Sequence, residues 1–180
     1  MNLVNRDSLA ATLDTINEAF FSGQPPSGGE RQEAARWIAG RQGLPRAYAA
    51  MFAPTPSDFA EGVRLFTGER VRSGAGIGHI LGEEACRALL LLGVSDSEVN
   101  GALKRASQGM LSRLATSPRP AGMYCCRTCT PALWRHLAAG GLNDAEERLM
   151  AGMKTLKSNR EGNGRWSRFP FYYTLLAVSE

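Results

Sequence analysis

The stretch IGHILGEEACRALLLL, Ile77 to Leu92, decides the fold. Within it Ile77, Leu81, Ala85, Leu89 and Leu92 recur at the spacing of one helix face. Its second half is apolar nearly all round, which predicts the most buried helix of the molecule. The same period runs outward in both directions. Leu9, Leu13, Ile16 and Phe20 form a stripe that stops at Gly23, and a second helix is expected near Glu30 to Gln42, ending at Gly43 before Pro45. Thr55-Pro56-Ser57-Asp58 supplies a cap, a proline at the first helical position and a first-turn acid ahead of Phe59, Val63 and Phe66. Ser95 with Glu98 reads as a capping box before Val99, Leu103, Ala106, Met110 and Leu114. Pro118, Pro120 and Gly122 then break the chain. Further helices are expected from about Thr128 to Ala139, from Asn143 and Glu146 through Leu149, Met153 and Leu156, and from Pro170 through Phe171, Leu175 and Val178. No sustained polar and apolar alternation calls for a strand. The fold class is therefore all-α, with about seven or eight helices as antiparallel hairpins in a single domain spanning residues 1–180.

The size and composition fit that reading. With 180 residues, 43% hydrophobic and 21% charged, the chain falls within the roughly 100 to 200 residues of one domain and needs neither disulfides nor a metal merely to fold. The longest apolar run, Ala88 to Leu92, is far short of the roughly 18 to 20 residues of a membrane span. The amino-terminal region carries Asp7 and Asp14 and shows no basic start followed by an apolar stretch, so no secretory signal is readable and a cytoplasmic location is expected. The last helix reaches Glu180 without a capping glycine, so it, or the protein itself, is expected to run on.

The net charge of +4 is concentrated in Lys154, Lys157, Arg160, Arg165 and Arg168, set against Glu161 alone; the rest of the chain balances. Such a segment could meet phosphate or nucleic acid, and a solvated helix end with its loop explains it as well. Arginine outnumbers lysine eighteen to three, and arginine is the better bidentate phosphate ligand.

Cys125-Cys126-Arg127-Thr128-Cys129 is the sharpest local cluster. An x2 spacing lets Cys126 and Cys129 reach one tetrahedral metal, and His136 lies seven residues further on, on the same side of a continuous helix. Only Cys86 or His79 is left as a fourth ligand. Without a complete ligand set, the expectation is no cofactor and reduced cysteines that serve as small packing residues. A second constellation, His79, Glu83 and Cys86, shares a helix face at i, i+4 and i+7. It has the residues of a nucleophilic pair or of two metal ligands, while the plainer reading places Glu83 and Glu84 near the positive end of the helix dipole. Gly74, Gly76, Gly78 and Gly82 could present backbone N–H groups to phosphate, but no strand precedes them as the nucleotide fingerprint requires, and close helix packing is the simpler account.

From Glu161 to Leu176, a Gly162-Asn163-Gly164 turn with Trp166 leads into Phe169-Pro170-Phe171-Tyr172-Tyr173. Over about Leu149 to Glu180 this resembles the repeat of the α/α toroid of terpenoid cyclases and protein prenyltransferase β subunits, where a Gly-x-Trp turn joins an outer to an inner helix. Those families carry Gln before the turn, where Ser158-Asn159 stands here, and neither the Asp-rich cyclase box nor the Asp, Cys and His zinc set has a match. The resemblance implies architecture, a partial toroid, rather than activity. In that arrangement Trp134, His136, Trp166, Tyr172 and Tyr173 would line a concave face for a small apolar or amphipathic ligand or a partner protein. The leading expectation is a non-catalytic binding or interaction module. A metal-assisted or thiol-dependent enzyme is the alternative, and nucleic-acid binding through the basic carboxyl-terminal segment is a distant third. Within this segment Trp166 is expected to be the most costly residue to truncate.

Overall fold

The computed structural model describes residues 2–180. Eight α-helices follow one another: α1 (Leu9–Phe21), α2 (Gly28–Ala39), α3 (Pro56–Glu61), α4 (Gly74–Leu92), α5 (Ser97–Ala115), α6 (Thr130–Ala138), α7 (Ala145–Ser158) and α8 (Phe171–Ser179), with a 3-10 turn, Tyr48–Ala50, between α2 and α3. No strand occurs among the described residues; pairing is limited to isolated bridges such as Arg64 with Arg70 and Arg160 with Trp166. The fold is all-α, as the apolar period predicts.

The helix α4 is the axis of the molecule. Ser73 Oγ accepts the Gly76 N–H at 3.1 Å to start it, and Gly93, left-handed at φ 60°, ends it by donating to Leu89 O. Around α4 pack α1, α2, α5 and α6, while α6 also carries α7 and α8. The core from Leu9 and Ile16 through Ile80, Leu89 and Ala106 to Leu133 and Trp134 is continuous. All four glycines of the 74–82 stretch lie inside α4 rather than ahead of it. Their use is close approach: Gly82 faces the Met51 side chain and Gly78 faces Arg46 O and Tyr48, which brings the 3-10 turn down onto the helix.

Thr55 and Asp58 form the predicted capping box of α3: Asp58 Oδ2 accepts the Thr55 N–H at 2.7 Å, and Thr55 Oγ1 accepts the Asp58 N–H at 3.2 Å. Asp58 does more than the sequence suggests. The same carboxylate accepts from Ser8 Oγ (2.7 Å), Leu9 N (3.1 Å) and Ala10 N (3.3 Å), so it also serves the first turn of α1. Elsewhere the starts of helices shift. The helix α2 opens at Gly28 on a Ser27 and Glu30 box, inside the stretch expected to be loop. Asp96, not Ser95, caps α5, accepting from Glu98 N and Val99 N, because its carboxylate reaches two free amides where the serine hydroxyl would reach one. The helix α7 opens after Asp144, which pairs with Arg148 one turn on.

The carboxyl-terminal helices are fastened through a glycine contact. Trp134 of α6 is fully buried and donates its Nε1 proton to Gly122 O at 2.7 Å. Gly152 of α7 lies directly against that indole, and Gly122, left-handed at φ 77°, lies against the α7 backbone at Arg148 and Gly152. Phe169 stacks on the Trp134 ring at 5.8 Å, which closes the assembly from the α8 side.

Candidate metal centre and the basic cavity above it

The loop after α5 folds its three cysteines into one tight turn. Cys126 O accepts both the N–H and the hydroxyl of Thr130, at 3.1 and 2.7 Å, and Thr130 Oγ1 in turn accepts the Tyr124 N–H. Arg119 Nε donates to Cys125 O at 3.0 Å. The helix α6 starts only at Thr130, leaving Cys129 as its cap residue. The sulfurs therefore gather at a helix start rather than spreading along a helix face.

His79, in the second turn of α4, meets them. Its Nδ1 lies 2.8 Å from Cys125 Sγ and 3.8 Å from Cys129 Sγ, and Cys126 Sγ lies 3.5 Å from Cys129 Sγ. The donor atoms of His79, Cys125 and Cys129 all fall within 4.8 Å of one another. Tetrahedral zinc at about 2.3 Å from sulfur and about 2.0 Å from imidazole nitrogen sets ligand atoms roughly 3.5 to 3.8 Å apart; the His79–Cys129 separation matches this, and His79 and Cys125, now at hydrogen-bond distance, would part by about 0.7 Å to admit an ion. Tyr48 packs on the imidazole with ring centres 3.7 Å apart, and the Tyr48 hydroxyl accepts from Arg113 Nε at 2.6 Å. Burial holds the His79 imidazole below its ordinary pKa, which favours the neutral form that binds metals. The three thiols act on one another: hydrogen bonds from Cys125 and Cys129 hold Cys126 far below the thiol range, the hydrogen bond with Cys126 pushes Cys125 up to about 12 against an opposing one from Cys129, and those with Cys125 and Cys126 push Cys129 further.

The cluster forms the floor of a cavity of about 800 Å³. One wall is the tight turn from Val63 to Val71, closed by Leu65 N to Glu69 O (2.8 Å) and Val71 N to Val63 O (2.9 Å), which presents Arg70 and Arg72. The amino end of α4, with Ser73 and Ala75, forms the second wall, and Arg168 with Phe169 the third. Arg168 is held at φ 62°, a left-handed conformation that a side chain of this kind rarely adopts. Glu69 is the sole carboxylate on the wall, and its oxygens accept Tyr172 N (3.3 Å) and Tyr173 N (2.8 Å) at the start of α8.

Of the residues expected at a metal, His79 and Cys129 are at the centre and Cys126 is at its exposed edge. His136 and Cys86 are elsewhere. His136 is fully buried with Nδ1 3.0 Å from Glu83 Oε2, and Cys86 is fully buried in the core. Glu83 is thus engaged with α6, not with His79, and burial pushes its carboxyl up. Cys125, which the x2 spacing passed over, supplies the shortest contact to His79.

The expected aromatic face is placed differently as well. Trp134 and Tyr173 are core residues with His136 between α4 and α6, because all three lie on the sides of α6 and α8 that pack inward. Trp166 is half-buried against Phe171, and Tyr172 is 59% exposed. The apolar hollow that does exist, about 650 Å³, lies between α6 and α7 and is lined by Leu137, Leu149, Met150 and Met153 with Lys154 and Lys157 at its rim. The basic segment is therefore divided, with Arg168 at the cavity and the two lysines at this groove.

Further along, α4 carries a buried polar network. Arg135 of α6 donates to Glu84 Oε1 (2.7 Å), Glu180 (2.9 and 3.0 Å) and Asn17 Oδ1 (3.2 Å); Arg87 donates to Asn17 and Glu180, both at 2.6 Å; and the Tyr173 hydroxyl binds Glu84. Asp14 of α1 borders it, and burial together with the Glu84 charge raises its pKa to about 6, with Arg135 opposing. Because the folded-state value lies above the ordinary 3.8, ionising Asp14 costs stability as pH rises from about 4 through about 6. Asp14→Asn is expected to raise stability at pH 7.5 by about 1 kcal/mol after solvent screening, or about 2 to 4 °C in Tm, with the gain fading toward pH 4. Thermal melts at both pH values check this; an equal gain at both would show that Asp14 is not ionised against the network.

No protein-family model matches this chain, and no curated protein or solved structure does either.

Proposed function

We propose that this chain is a zinc-type metal-binding protein in which His79 Nδ1, Cys125 Sγ and Cys129 Sγ hold the ion and its fourth position faces the cavity. The observation that carries this reading is the convergence of those three donors within 4.8 Å from two elements far apart in sequence, α4 and the α5–α6 loop. Thiolates with an imidazole select a borderline-soft ion such as zinc. Three protein ligands with an open position are the arrangement of catalytic rather than structural zinc sites, which supports reading the chain as a metal-assisted enzyme. When bound, the ion would act as a Lewis acid on a group entering from the cavity. The protein's own part is to orient the ligands: Thr130 fixes the cysteine turn and Tyr48 fixes the imidazole plane.

Metal analysis of protein purified without a histidine tag tests this. One zinc per chain is expected, lost in His79→Ala and in Cys129→Ser but kept in Cys126→Ala, because Cys126 lies outside the three-donor set. No tightly held metal after zinc loading refutes the reading. Loss of zinc in Cys126→Ala to the same extent as in the others would mean a closed four-ligand centre. The 3.5 Å approach of Cys126 and Cys129 sulfurs supports a second reading, thiol redox chemistry. That reading requires a metal-free protein in which these two cysteines, and not Cys125, become a disulfide on mild oxidation.

A further inference from the structure

We infer that the cavity above the cysteine cluster binds a small phosphate-bearing ligand, with its anionic group held by Arg70, Arg72 and Arg168 against the start of α4. Three arginines from two separate segments, Arg70, Arg72 and Arg168, line one hollow, and no ion pair among the described residues engages any of them. The one carboxylate on the wall, Glu69, accepts the amides of α8 and forms no ion pair with the arginines, which outnumber it three to one. The amino end of the 19-residue helix α4 opens onto the same hollow. Ser73 Oγ satisfies Gly76 N, but the amides of Gly74 and Ala75 donate to no group among the described residues. Guanidinium groups and free helix-start amides both match phosphate oxygens, the first by paired N–H donors and the second by the helix dipole.

The strained residue points the same way. Arg168 holds φ 62° between Ser167 and the buried Phe169, whose ring is fixed on Trp134. A backbone conformation of this kind persists where surrounding structure imposes it, and the residue held in it here is one that lines the cavity. A volume of about 800 Å³ is that of a small-molecule site, roughly 300 to 1,000 Å³ in general, and is far larger than a lone phosphate needs. The ligand is accordingly a phosphate ester whose anionic end meets the arginines. This inference rests on the metal reading only for the other end, which would lie over His79, Cys125 and Cys129.

Calorimetric titration with inorganic phosphate tests it, on untagged protein of measured zinc content and again after chelation. Saturable one-to-one binding is expected, weakening with salt. It should fall by about tenfold or more in Arg70→Gln combined with Arg168→Asn, where asparagine suits the left-handed backbone and both sites are exposed. Circular dichroism and zinc content of the variant must match the parent. Retained phosphate binding in protein that holds no zinc leaves the anion site standing while the metal reading fails. Stoichiometric zinc with no saturable phosphate binding overturns the anion site and leaves the metal centre. Equal affinity in parent and double variant overturns it too, as does binding confined to an oligonucleotide with many sites per strand, which would assign the arginines to an extended polyanion.

Discussion

Replacing Arg135 by leucine is expected to cost about 3 to 5 kcal/mol, enough to unfold a substantial share of a protein whose total stability is about 5 to 15 kcal/mol. The guanidinium is 2% exposed and binds Glu84, Glu180 and Asn17 at once. Without it, Glu84, itself 5% exposed, is left in a site shielded from water with only the Tyr173 hydroxyl and a 3.4 Å contact from Asn17 as partners. The penalty comes from that stranded carboxylate more than from the lost attraction. Arg135→Leu combined with Glu84→Gln should therefore recover a large part of the loss. Denaturant unfolding of the single and double variants decides it. A single variant within about 1 kcal/mol of the parent would mean that water enters the network and screens it.

Gly152→Val should be comparably damaging, at about 3 kcal/mol or more, for a different reason. A side chain at 152 would run into the indole of Trp134 and toward Gly122 O, and neither can retreat: the ring is hydrogen-bonded to that same carbonyl and stacked on Phe169. The helix α7 would have to lift off α6. Gly162→Ala is the control, since nothing lies within 4 Å of its added methyl, and it should change stability by less than about 0.5 kcal/mol. A Gly152→Val protein with parental stability would show that α7 is not seated on Trp134.

The helices were legible because their apolar residues keep one period and their ends carry side-chain caps. Ile77 to Leu92 reads directly as a buried helix, and Thr55 with Asp58 reads directly as a cap. The boundaries that moved did so where two cap residues compete, as with Ser95 and Asp96. The cluster of His79 with the cysteines was half legible. Cysteines three apart single out Cys126 and Cys129, and a continuous helix would set His136 on their side. The turn at Cys125 to Cys129 breaks that continuity, and the imidazole that meets the sulfurs is His79, 46 residues before Cys125, a proximity only tertiary packing creates. His136 was free to look like a ligand because its buried partner, Glu83, lies on another helix. The aromatic residues differ for a related reason: sequence does not show that α6 is buried all round from Thr130 to Leu137, nor which side of α8 the core covers. Trp134, not Trp166, is the largest fully buried ring of this region.

Asp58 joins the beginnings of two helices, α1 and α3, since it holds both Thr55 N and, 49 residues back along the chain, Leu9 N. The first turn of α1 has no acidic residue of its own, so its leading amides find their partner only after the chain out to α3 has returned. Closing so long a loop is entropically costly, so while Ser8 caps the Ala11 amide locally, the Leu9 and Ala10 amides are satisfied only once α3 docks. The amide protons of Leu9 and Ala10 would then exchange with solvent whenever α3 undocks, before the interior of α1 opens. A carboxylate that looks like an ordinary cap makes the order of assembly visible at two backbone hydrogens.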